Sequence, residues 1–136
     1  MASASIRWLS GQTFIGTDST KHSVVISSTA DGVGMKPSEL MLVALCSCSA
    51  VDVVDILAKK RLTLTGLEVS ASAEQDSDPP WTFRKIHLVY KLRGKDLNEK
   101  AVEQAITLSE EKYCSVAATL RGTAEITFSY EFANEG

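Results

Sequence analysis

The sequence predicts an α+β fold, and three observations carry that expectation. The first 28 residues hold short β-like pieces, a long apolar stretch runs from Ser38 to about Arg61 without Gly or Pro, and the rest alternates between strand-like and helical periods. The predicted order is β-β-β-α-β-β-α-α-β, an antiparallel sheet around one long central helix. At 136 residues the chain fits a single domain, residues 1–136, large enough to bury about two-thirds of its unfolded surface.

Each element has its own warrant. "SIRWL", "QTFIG" and "HSVVIS" are separated by Gly11, Gly16 and the turn-rich "TDSTK", which predicts a three-stranded meander. Pro37 suits the first turn of a helix, and the segment that follows is long enough for roughly six to seven turns. Its apolar residues between Leu40 and Leu57 point in nearly every direction around the axis, which predicts burial on most sides, inside a core or shared with a second subunit. Leu67, Val69, Ala71 and Ala73 then alternate with polar residues, as do Ile86, Leu88, Tyr90 and Leu92 after a slip at Arg84 and Lys85 that a bulge would absorb. "DLNEKAVEQAITLSEEKY" has helical spacing with Asp96 placed to cap it, "SVAATLRG" is a short helix ending at Gly122, and "TAEITFSYEF" closes the chain as a strand.

Composition narrows the classes of function. A net charge of −3 is a poor match to nucleic acid, whose binding wants a basic surface. The apolar stretch "LMLVALCSCSAVDVVDIL" is interrupted by two serines and two aspartates, which argues against a membrane span. "MASASIRWLSG" has no basic region followed by an apolar one, so the expected location is cytoplasmic, where thiols stay reduced.

The three cysteines therefore carry the interest. Cys46 and Cys48 lie two apart on a helix, about 200° from each other, so both cannot ligate one ion. The two histidines, His22 and His87, lie in distant strands, and no metal site or organic cofactor is expected. Cys46 shares its direction with Leu42, Val53 and Leu57 and reads as structural. Cys48 shares the stripe of Ala44, Asp52, Asp55 and Lys59, where its sulfur faces either a polar cavity or a solvated flank. Cys114 follows "SEEKY" and precedes "SVAATL", next to a helix N-terminus whose unpaired N–H groups favour a thiolate. Two unequal thiols that meet in space can reduce a peroxide, one becoming a sulfenic acid and the other condensing with it.

"KPSELMLVALCSCSAVDVVDIL" at 36–57, "EEKYCSV" at 110–116 and the order of elements around them resemble the OsmC/Ohr family, the osmotically inducible and organic hydroperoxide resistance proteins. The forms "ALCSCSAVDVVDIL" and "SEEKYCSV" look most like a less characterised branch of it. The resemblance implies an intertwined homodimer with the two long helices at its centre and a site at each side of the interface. It implies Cys48 as the peroxide-attacking cysteine, Cys114 as the resolving one, and Glu39 as the glutamate that organises the pocket. An apolar pocket would come from Met41, Leu45 and Val51 with residues of the partner subunit. The implied activity is thiol-dependent reduction of organic hydroperoxides, with an external dithiol, lipoyl-protein in character, as reductant. In the family's peroxidases an arginine of the N-terminal hairpin pairs with the attacking thiolate. Here the hairpin reads "GQTFIGTDSTKHS", Arg7 lies outside it, and Arg84 or Lys21 are the substitutes to consider. That departure keeps a second reading open, a small-ligand binding or redox-sensing protein on the same fold.

Overall fold

The computed structural model describes residues 1–135, which fall into two compact units, Met1–Leu42 and Val43–Gly136. The first unit contains the expected meander. β1 (Ala4–Ser10), β2 (Thr13–Asp18) and β3 (Ser23–Ser27) pair antiparallel in that order, with Leu9 as an extra residue where the register shifts between Trp8 and Ser10. The Asp31 carboxylate ties the β1–β2 turn to the following loop by accepting from the Gln12 N–H and the Thr13 hydroxyl, both at 2.8 Å. These bonds hold its pKa below the usual carboxylate range, the Thr13 hydroxyl first. Ser27 accepts the N–H groups of Val33 and Gly34, which brings Met35 beside Ile26 in a parallel bridge. Gly34 is required there, because a Cβ would stand 2.6 Å from the Val25 carbonyl oxygen. β1 is exposed along its whole length, with Ile6 and Trp8 at 66% and 65%.

Helix α1 (Pro37–Lys59) has Pro37 at its first position, where the missing N–H costs nothing. It stops without a glycine. Arg61 takes a left-handed φ of 61°, its N–H bonds Ala58 O, and the Leu62 N–H reaches back to Leu57 O, a Schellman closure.

In the second unit the buried face of α1 is one stripe, Leu45, Ser49, Val53 and Leu57, each four residues from the last. The expectation of burial on most sides is corrected for the single chain, since Val51 is 68% exposed and Val43 and Val54 are also open. By length and composition α1 would also pass for a membrane span, as an apolar core helix does.

β4 (Thr63–Gln75) and β5 (Phe83–Lys95) pair antiparallel, and Arg84 is the bulged residue that the sequence placed near 84 and 85. β6 (Glu125–Asn134) pairs with β5 in parallel. The expectation of a wholly antiparallel sheet is thus corrected at this pair. The reason is the connection: residues 96–124 form a helical crossover that returns the chain to the end of the sheet from which β5 began. The resulting order is β4-β5-β6, a second three-stranded sheet.

α2 (Glu99–Leu108) is capped by Asn98, whose side chain accepts from the Ala101 N–H at 2.9 Å. Asp96, expected as the cap, sits instead in a left-handed turn at φ 60°, two residues too early for its carboxylate to serve. Ile86, Leu88, Tyr90 and Leu92 of β5 and Val102, Ala105 and Ile106 of α2 are all buried, each large side chain contributing about 2 kcal/mol.

Between α2 and α3 (Ser115–Leu120) the chain makes one π-helical turn, Ser109–Tyr113, closed by the Cys114 N–H on the Ser109 carbonyl at 2.8 Å. The wider turn sets where Cys114 begins α3, and such turns recur at functional sites.

Candidate functional site

The second unit brings two of the three cysteines together. The Cys48 thiol, half-buried on α1, is near enough to Cys114 to help raise its pKa, and Cys114 itself is 2% exposed at the N-cap of α3. All three cysteines are free thiols. Cys46, two residues away, is half-buried, and burial pushes its pKa up, as suits a structural thiol.

The helix-terminus argument for an acidic Cys114 is corrected. Its sulfur does accept the Ala117 N–H at 3.3 Å, and the Val116 N–H adds to that, but both are outweighed. Burial comes first, the neighbouring Cys48 thiol second, and together they push Cys114 up to about 11. A six-residue helix offers a weak dipole, while desolvating a thiolate is costly. At neutral pH Cys114 is therefore a protonated thiol beside the more exposed Cys48.

Under this pair runs a buried polar chain that the sequence did not announce. Ser49, the residue after Cys48, lies 2.5 Å from the Tyr90 hydroxyl of β5. Tyr90 donates to Glu110 Oε1 at 3.1 Å, and the Arg121 guanidinium stands 3.8 Å from Glu110 Oε2 while also donating to the Glu110 main-chain carbonyl. On the other side the Ser109 hydroxyl sits 3.0 Å from Ser49 Oγ and 2.9 Å from Asp52 Oδ2, sharing its proton between them. Burial raises the pKa of Glu110, opposed by the Tyr90 bond and the Arg121 charge, and burial likewise raises Tyr90. The periodicity of α1 and β5 hid these residues, since Ser49 and Tyr90 occupy positions that an apolar side chain would also fill. The one available signal was "SEEKY", where Glu110 falls on the buried side of the turn before Cys114.

The other expected participants each have a local setting of their own. Glu39 stands in the first turn of α1, 3.5 Å from Lys36, with both side chains largely exposed. Arg84 is held by Asp76 through three hydrogen bonds of 3.0–3.1 Å, so it is committed to the β5 bulge. Lys21 occupies the left-handed position of the β2–β3 turn. Of the residues expected to line the pocket, Leu45 is fully buried in the core while Val51 is exposed, and a separation of six positions turns the two side chains about 120° apart. A cavity of about 520 Å³ does open beside the charged stripe, lined by Asp52, Asp55, Ile56, Lys59, Leu108 and Tyr113 among others. Among the described residues, no three His, Cys, Asp or Glu side chains converge as a metal site. His87 instead bonds Thr127 and Ser129 of β6, and His22 bonds Thr20.

Comparison with known proteins agrees with this architecture. Residues 29–129 match the family model described as OsmC-like protein. Protein YhfA of Escherichia coli K12 is 38% identical over 128 residues, covering 94% of this chain and 96% of the relative. A hypothetical protein from Aquifex aeolicus has a solved structure that superposes with a TM-score of 0.90 at 31% identity, covering all of this chain and 98% of that one. The organic hydroperoxide resistance protein OhrB of Bacillus subtilis shares the fold at 15% identity, with a TM-score of 0.64 over 96% of this chain and 98% of that one. With the model spanning most of its length and a relative this similar end to end, the chain belongs to the OsmC-like family.

Proposed function

We propose that this protein is a cytoplasmic, two-cysteine reductase of organic hydroperoxides. The observation that carries the reading is the proximity of a half-exposed Cys48 to a buried, protonated Cys114 whose pKa it helps to raise. Cys48, as its thiolate, attacks the terminal oxygen of the hydroperoxide. The O–O bond breaks, Cys48 becomes a sulfenic acid, and the alkoxide takes up a proton and leaves as the alcohol. Cys114 then attacks the Cys48 sulfur, the S–S bond forms, and the sulfenic hydroxyl departs with the Cys114 proton as water. A dithiol of the dihydrolipoyl class returns the disulfide to two thiols and is itself oxidised. The family resemblance gives Glu39 a part in organising the pocket. A homodimer completes the site, and it would cover the apolar residues left open on β1 and α1, Ile6, Trp8, Val43, Val51 and Val54.

The test is a thiol count. Reduced protein mixed with cumene hydroperoxide should fall from three free thiols to one per chain, and the Cys48→Ser variant should keep both of its own. Equal behaviour of the two proteins would remove the peroxidase reading.

A second reading has one observation in its favour. Arg84 is engaged by Asp76, which leaves the hairpin arginine of the family's peroxidases without that substitute. A redox-sensing or small-ligand binding protein would show a single slow oxidation and no recycling by dihydrolipoamide.

A further inference from the structure

The buried chain Ser49–Tyr90–Glu110–Arg121 is not needed to explain any chemical step above, yet it connects both sides of the thiol pair. Ser49 follows Cys48 directly on α1. Glu110 lies in the π-helical turn four residues before Cys114, and Arg121 closes α3 seven residues after it. Tyr90 sits between, in the central strand of its sheet, fully buried and packed edge-on to Phe128 with ring centroids 6.2 Å apart. Glu110 is thus bonded to the segment after Cys114 through Arg121 and to the residue beside Cys48 through Tyr90. An apolar core would hold these elements equally well, and a buried carboxyl carries a desolvation cost, so its retention calls for a specific constraint.

We propose that this chain is a positioning clamp that fixes the separation of Cys48 and Cys114 and so sets how readily the two form a disulfide. The inference rests on the two-cysteine reading. Holding two thiols at fixed separation raises the effective concentration of one at the other, which stabilises the disulfide against reduction. Without the clamp, the segment from Ser109 to Leu120 gains freedom relative to α1, and the same thiols pair less favourably. The charged and titratable groups facing Glu110 are Tyr90 from β5 and Arg121 from the end of α3, with Cys114 acting on Tyr90 and Asp52 of α1 reached through Ser109 and Ser49.

The experiment is equilibration of the full-length protein with glutathione redox buffers, followed by alkylation and mass measurement to give the disulfide–dithiol equilibrium constant. Tyr90→Phe removes the bridging hydroxyl and keeps the ring. Glu110→Gln keeps an acceptor for Tyr90 and removes the charge facing Arg121. Each should lower the constant at least tenfold, a rise of about 30 mV in potential. The double variant should be little worse than the more affected single one, because both break one chain. A merely structural role would weaken reduced and oxidised protein equally and leave the potential where it is. Ser49→Ala, a smaller change, keeps the test open if Tyr90→Phe does not fold, and should lower the constant about threefold. Wild-type potentials in folded variants would overturn the clamp and leave the two-cysteine reading standing. If wild type forms no Cys48–Cys114 disulfide in any buffer, the two-cysteine reading itself fails, and the clamp with it.

Discussion

The middle of α1 and the start of α3 each present a cysteine to the same small space, and local rules rank them the wrong way round. Cys114 has the helix N-terminus, the accepted N–H groups and a nearby lysine in sequence; Cys48 lies mid-helix with none of these. Yet Cys114 is the suppressed thiol, because it is almost fully buried and Cys48 crowds it. A helix terminus is worth at most about 1 to 2 kcal/mol and fades within a turn, whereas removing a thiolate from water acts on the whole charge. Burial therefore keeps Cys114 protonated near neutral pH, and in the proposed mechanism that makes it the second thiol.

The largest effect that would break this contrast is in alkylation. At pH 7.5 a thiol with a pKa of about 11 is ionised to about three parts in ten thousand, and Cys114 is almost fully buried as well, whereas Cys48 is half-exposed. Iodoacetamide labelling followed by peptide mass analysis should find Cys114 modified at least 100-fold more slowly than Cys48 in the folded protein. The gap should narrow steeply as pH approaches 11. Comparable labelling of the two at pH 7.5 would mean that burial does not control this site.

A smaller effect follows from the same shift by linkage. The folded state holds the Cys114 proton more tightly than the unfolded chain does, so between the ordinary value of 9.0 and about 11 the unfolded state carries fewer protons. Stability is then fully present below about 9 and falls as pH rises through that window. Urea midpoints at pH 8.5 and 10.5 should drop further for wild type than for Cys114→Ser, which has no group titrating there. Tyr90, raised chiefly by burial, is present in both proteins, so the difference belongs to Cys114 and to the smaller push that its thiolate gives Tyr90.

The same contrast shows what was legible in the sequence. The strands, the long helix and the bulge at Arg84 follow from periodicity, because each alternation or turn is a local pattern. The parallel pairing of β6 was not, since it depends on where residues 96–124 lead the chain, and no local pattern records that. Cys48 and Cys114 stand out in the sequence because thiols are rare and their neighbours distinctive. Ser49, Tyr90, Glu110 and Arg121 were missed because a buried hydrogen-bond chain joins residues 41 and 20 apart, and each member alone looks ordinary. The exposed apolar residues of β1 and α1 teach the complementary lesson. Their pattern predicts burial, but within one chain it does not say by what.

The smallest effect separates the two duties of Cys114. As N-cap of α3 its sulfur accepts the Ala117 N–H at 3.3 Å, a good distance for sulfur, but sulfur is a weaker acceptor than the oxygen of an ordinary cap. Serine at this position would accept the same N–H more strongly in nearly the same volume, whereas alanine would leave that N–H buried without a partner. Cys114→Ala should therefore cost about 1 kcal/mol in reduced protein, measured by urea unfolding at pH 7, and Cys114→Ser should stay within about 0.5 kcal/mol of wild type. Both variants lose the disulfide equally, so a stability difference between them belongs to the cap alone. If serine is as costly as alanine, the sulfur is there for packing, and the contact with Ala117 contributes nothing to holding Cys114 opposite Cys48.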